Sequence, residues 1–160
     1  MFLGLLSRKQ LINKISNLSQ LFSNEQFTEL AFIFEKMNNK AHSEYEERVI
    51  NNSEFKNYEP SILEKLIVDG LNLGLYTDES RRVSAYWALM KRDNKKLIPL
   101  FQRFLKSELD LKSETAVYQI LIALDRLDEQ VFSENRNGSS SVSEVELNLN
   151  DAMTYVELKM

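Results

Sequence analysis

The chain predicts an all-α fold, a right-handed stack of antiparallel helix pairs, and three observations predict it. First, Asp78 to Asp93 aligns with Ser113 to Asp128 at a fixed offset of 35 residues, with Glu79 on Glu114, Ala88-Leu89 on Ala123-Leu124 and Asp93 on Asp128. Self-similarity at one period marks a helical repeat. Second, another apolar-striped segment, Leu97 to Leu109, lies between the two, so the block reads helix, turn, helix, turn, helix. Third, a serine followed three residues later by Glu or Gln recurs at Ser23/Gln26, Ser43/Glu46 and Ser61/Glu64, the pattern in which cap and N3 side chains satisfy each other's backbone amides. Such units cannot bury their apolar faces alone. Stacked, about seven of these helices make an α-solenoid, whose curved face binds another macromolecule.

The expected helices follow in order. Leu11, Ile15, Leu18 and Phe22 form one stripe of a helix from about Arg8 to Phe22. Ser23 then caps a helix with Phe27, Leu30, Ala31, Phe34 and Met37 on its apolar face, ended by Asn38-Asn39. Ser43 opens a weaker one striped by Tyr45 and Val49, and 51–59 reads as a polar loop. After Pro60, with Ser61 and Glu64 as the cap pair, a helix carries Leu63, Leu66, Ile67, Gly70 and Leu71 to a C′ glycine at Gly74. Gly70 in mid-helix costs about 1 kcal/mol against Ala, and close approach of another helix would explain it.

Thr77 or Asp78 caps the next helix, where Val83, Trp87 and Met90 line one face and Tyr86 and Leu89 an adjacent one. Pro99 fits the first turn of the following helix, where a missing amide proton does little harm. Ser113 caps a segment with one polar residue in nine between Ala116 and Leu124, expected to be the most buried of the chain. Residues 133–143 read as a flexible loop. Val145, Leu147 and Leu149 then alternate with polar residues, a period of two that suggests a short extended segment near 142–149. Asp151 would cap a final helix over 151–159 that covers the open end of the stack. The expected organisation is a single helical domain over 1–160, with N-terminal helices in 8–74 and the repeat block in 78–132.

Composition excludes several classes. Hydrophobic residues at 43% and charged residues at 28% fit a globular domain. There is no cysteine, hence no disulfide framework. The apolar run Met1-Phe2-Leu3-Gly4-Leu5-Leu6 is too short for a signal segment, and no stretch approaches the roughly 20 apolar residues of a membrane helix. A cytoplasmic protein without membrane contact is the expectation. Net charge is −4, unevenly spread: residues 81–112 hold nine Lys/Arg against three Asp/Glu, and 113–160 hold nine acids against three bases. These are either solvated helix faces or a basic ridge beside acidic surface that steers a charged partner.

Catalytic chemistry is hard to find. His42 is the single histidine, so a histidine-based metal site is not expected. No Gly-rich phosphate loop or nucleophile elbow is present, and no enzyme activity, cofactor or metal is expected. Asp125 and Asp128 at i and i+3 read as a solvated helix end. The most suggestive cluster is Tyr86-Trp87 with Arg81 and Arg82 one turn earlier. It is either core aromatics behind a helix start or an interface anchor, since Trp, Tyr and Arg dominate binding hot spots.

The run Arg82-Val83-Ser84-Ala85-Tyr86-Trp87-Ala88-Leu89, then Asp93 and Leu97-Ile98-Pro99-Leu100-Phe101, resembles a HEAT-type repeat. With Val117 to Asp125 the block resembles the small helical HEAT-like immunity proteins of bacterial polymorphic toxin and contact-dependent growth inhibition systems. That resemblance implies a monomer that binds one cognate toxin domain 1:1, often a nuclease acting in the cytoplasm, and occludes its active site. Toxin contacts would come from the acidic clusters Glu44, Glu46, Glu47 and Asp125, Asp128, Glu129, and from Arg81, Arg82, Tyr86 and Trp87. The alternatives are a scaffold, or nucleic-acid binding by the ridge Arg81, Arg82, Lys91, Arg92, Lys95, Lys96, Arg103 and Lys106. An acidic pI of 5.2 disfavours nucleic acid.

Overall fold

A computed structural model describes residues 21–160 of the protein apart from 39, 41, 137 and 138, and the described residues form seven α-helices and no strand. The expected helix from Arg8 lies outside them, except for its last residue, Phe22, which is buried. By its internal contacts the chain divides into two units, Met1–Arg92 and Asp93–Met160.

The first unit is organised around α1 (Asn24–Met37), which packs on α2 (Glu44–Asn52), α3 (Pro60–Asn72) and α4 (Glu79–Met90). Its expected start is formed: Gln26 N–H donates to Ser23 Oγ at 3.1 Å and Ser23 N–H to Gln26 Oε1 at 3.0 Å. Phe27, Leu30, Ala31 and Phe34 are fully buried. Helix α4 runs parallel to α1 and is tied to it at both ends. At the start, Asn24 donates to Ser80 and accepts from Ser84; at the end, Asn38 Nδ2 donates to the Lys91 carbonyl and Lys91 Nζ meets Glu35 at 2.6 Å.

Helix α2 carries the second capping box, Ser43 with Glu46. Helix α3 departs from expectation. Pro60 occupies its first turn with Glu59 as N-cap, so Ser61 lies inside the helix and the Ser61/Glu64 box is not made. Proline at this position removes an amide that has no helical partner anyway. Glu64 is thereby released to accept from Arg92 Nε at 2.9 Å. Gly74, at φ +68, is the left-handed residue beyond the helix end. At Gly70 the close neighbour is the Tyr76 ring of the loop after α3, in place of the expected helix.

In the second unit a short 3-10 turn over Lys95–Leu97 leads into α5 (Ile98–Leu111), followed by α6 (Glu114–Arg126) and α7 (Val145–Lys159). Each of these three packs on the other two. As expected, α6 is deeply buried, through Ala116, Val117, Ile120, Leu121, Ala123 and Leu124. It starts at Glu114, 35 residues after the start of α4 at Glu79.

Two expectations fail at α7. Residues 145–149 are helical where a period of two suggested an extended segment, and the helix begins well before Asp151. The buried face is Asn148, Ala152 and Tyr155, a helical spacing that a count of alternating apolar residues misses because it includes an asparagine. Asn148 is held there by donating to the Ser141 carbonyl at 2.9 Å. Asp151 accepts from Arg136 Nη1 at 2.9 Å in mid-helix, while Arg136 Nη2 donates to Glu144 at 3.0 Å and its guanidinium lies 5.2 Å from the Phe132 ring centre.

Candidate functional site: an acidic groove between α1 and α2

Helix α1 shows the core one face, formed by Phe27, Leu30, Ala31 and Phe34. Its next face carries Glu25, Thr28, Glu29 and Phe32, spaced i, i+3, i+4 and i+7. Helix α2 answers with Tyr45, Arg48, Val49 and Asn52 at the same spacing, which places each set along one helical stripe. Between the stripes lies a groove of about 570 Å³ lined by Glu25, Thr28, Glu29, Tyr45, Arg48, Val49 and Asn52. Phe32 meets the Tyr45 ring edge-on, with centroids 6.3 Å apart. That contact holds Tyr45 by one side only, and the residue is 59% exposed. Amphipathic rings of this kind supply contact area at low entropic cost, which suits Tyr45 to anchoring a partner.

The charge of the groove is set by which carboxylates are already engaged. Among the described residues, neither Glu25 nor Glu29 forms an ion pair. The neighbouring Glu47 is spent: it pairs with Lys36 at 2.9 Å and with His42. Lys36 and His42 together hold its carboxyl below the ordinary range.

The ten residues singled out from the sequence fall in separate places. Glu44 is exposed at the start of α2, where it also complements the helix dipole, while Glu46 closes the capping box. Arg81 returns to its own N-cap, donating to Asp78 at 2.7 Å, and holds that carboxyl below its ordinary value. Arg82 donates to the Tyr76 and Thr77 carbonyls. Tyr86 is 2% exposed and offers a partner no surface. Trp87 is half-buried with the Lys91 ammonium 5.6 Å from its ring centre. In the second unit Asp125 is exposed, Asp128 meets Lys95 at 3.1 Å, and Glu129 accepts from the Tyr155 hydroxyl at 2.5 Å. Burial first, and then Glu129, push that phenol up to about 12.

Half of the basic ridge is likewise engaged in ion pairs within the chain. Arg81, Lys91, Arg92 and Lys95 pair with Asp78, Glu35, Glu64 and Asp128. A cation held by its own carboxylate has less to gain from a phosphate. Sequence reasoning missed Glu25, Glu29 and Arg48, and placed Tyr45 on a buried stripe. The available signal was the i, i+4 acid pair on the polar face of α1. Among the described residues no group of three or more His, Cys, Asp or Glu is arranged to hold a metal ion, and no described helix is long and apolar enough to cross a membrane. Compared with known protein families, with curated proteins and with solved structures, the chain matches none of them.

Proposed function

We propose that this chain is an immunity-type binding protein that neutralises one cognate bacterial toxin domain by covering its active site, without catalysis of its own. The observation that carries this reading is the α1–α2 groove, in which two carboxylates without ion pairs, Glu25 and Glu29, flank the exposed Tyr45. Two carboxylates against the single Arg48, beside an aromatic anchor, suit a basic protein surface, such as that of a domain built to cleave nucleic acid. Complementary charge speeds the encounter, and the aromatic anchor slows release. The matching starts of α4 and α6, 35 residues apart, support a HEAT-like repeat.

The test is growth of cells expressing the C-terminal domain of the protein encoded directly upstream. The domain alone should stop growth, and this chain should restore it. The double variant Glu25→Lys, Glu29→Lys should fold and fail to protect. A domain that is harmless, or toxic whether or not the chain is present, removes the reading. Full protection by the charge-reversed variant removes the groove from it.

A further inference from the structure

The second unit has a cleft of its own. It lies between α5 and α7, encloses about 520 Å³, and has Leu109 of α5 facing Leu149, Met153 and Val156 of α7. The α7 members stand at i, i+4 and i+7, one stripe of the helix, and Met160 continues that stripe at i+11. This apolar surface is open: Met153 is 47% exposed and Met160, next on its stripe, 55%. Isolated exposed apolar residues are ordinary, whereas a contiguous apolar cleft rimmed by charge marks an interaction site.

The rim says what could cover it. Lys106 and Lys112 stand beside Asp110, Glu114 and Glu157. All five are exposed, and among the described residues none is in an ion pair. Of the basic ridge, Arg81, Lys91, Arg92 and Lys95 are matched by carboxylates of the same chain, whereas Lys106 is not. A rim of mixed sign around an apolar floor is self-complementary. Because both signs stand on one rim, a two-fold axis through the cleft allows lysines of one copy to meet acids of the other while one apolar stripe lies on the other, the isologous geometry of most homodimers. A purely acidic partner would instead set its charge against the three rim acids, and a purely basic one against the two lysines.

We infer that the α5–α7 cleft is a self-association surface, in which α7 of a second copy lies across the Met153 stripe with lysines and acids of the two rims paired. This surface belongs to the second unit and is separate from the α1–α2 groove, so the inference stands or falls independently of toxin binding. The experiment is sedimentation equilibrium of the full chain over roughly 1 μM to 1 mM, the range in which modest interfaces dissociate. A concentration-dependent dimer is expected. Met153→Glu, which sets an unpaired carboxylate at the centre of the apolar stripe, should weaken it at least about tenfold. Glu157→Lys should weaken it less, and high salt should reduce that difference. Met37→Glu, at an exposed apolar residue of the first unit, is the control and should leave the dimer intact. A monomer across the whole range overturns the inference, as does a dimer that Met153→Glu leaves unchanged. Circular dichroism of each variant separates lost association from lost folding.

Discussion

The ring of Tyr76 lies against Gly70 so closely that a Cβ added to the glycine would stand 2.8 Å from Tyr76 Cε2. The ring has little freedom to retreat. Tyr76 is 3% exposed, packs 5.4 Å from the Phe27 ring centre and accepts a hydrogen bond from Phe22 N–H. Burial pushes its phenol up to about 12.

Gly70→Ala therefore sets two effects against each other. Alanine improves helix propensity by about 1 kcal/mol, and overpacking a fixed ring costs about 1–3 kcal/mol. The clash should win, with a net loss of about 1 kcal/mol in denaturant unfolding. Adding Tyr76→Leu should make the alanine neutral or favourable. A single Gly70→Ala variant more stable than the wild type would show that Tyr76 yields freely.

Among the described residues Arg136 is the one buried cation, its side chain 5% exposed, and it ties the loop before α7 to Asp151, itself 12% exposed. Arg136→Met leaves that carboxylate buried without its counter-charge and should cost about 3–5 kcal/mol. Arg136→Lys should recover only part of the loss. Its single ammonium cannot reproduce a planar fork that reaches Asp151 and Glu144 at once. Thermal unfolding of both variants checks this, and equal stability of the Lys variant and the wild type would count against the fork geometry.

What could be read from the sequence here was local. Ser23/Gln26 and Ser43/Glu46 form capping boxes because cap and partner are three residues apart, and the common start of α4 and α6 follows from a repeat within the chain. What could not be read depends on distant neighbours. Glu64 looks like a capping residue until Arg92 reaches it across 28 positions. Likewise, α7 looks extended until Asn148 is seen buried on Ser141. The candidate groove shows the same division. Glu25 and Glu29 mark the polar face of α1, yet only packing reveals that Tyr45 and Arg48 face them. The basic ridge also loses much of its apparent charge once Glu35 meets Lys91.

His42 should titrate above its ordinary value near 6.5. The protonated ring is favoured first by donating to the Lys40 carbonyl and then by Glu47, whose own carboxyl is held below 4.5. A raised histidine contributes stability that is complete below 6.5 and disappears as pH rises through the folded value. A lowered carboxylate contributes stability present above 4.5 and lost as pH falls. The cluster at the start of α2 should thus be firmest between about pH 4.5 and 6.5. Because the chain has one histidine, its imidazole NMR signals report this directly. The titration should move back toward 6.5 in Glu47→Gln, and a wild-type midpoint at or below 6.5 would show that the contact is not populated in solution.

Tyr45 and Trp87 should respond to alanine in opposite ways. Trp87 lies half-buried on α4 under the Lys91 ammonium, which also meets Glu35. Its removal takes away the half-buried ring and the face that holds the Lys91 ammonium, so Trp87→Ala should lower stability by about 3 kcal/mol, the low end of the range for a large aromatic. Tyr45, touched by Phe32 on one side and otherwise open, should cost less than about 1 kcal/mol in folding. If the groove binds the toxin domain, the same Tyr45→Ala change should weaken the complex by about 2 kcal/mol or more, the loss typical of an anchor. Unfolding and binding measured on both variants separate the two roles. A Tyr45→Ala variant that binds as tightly as the wild type would move the interface off α2, and a Trp87→Ala variant that keeps its melting temperature but loses the partner would move it to α4.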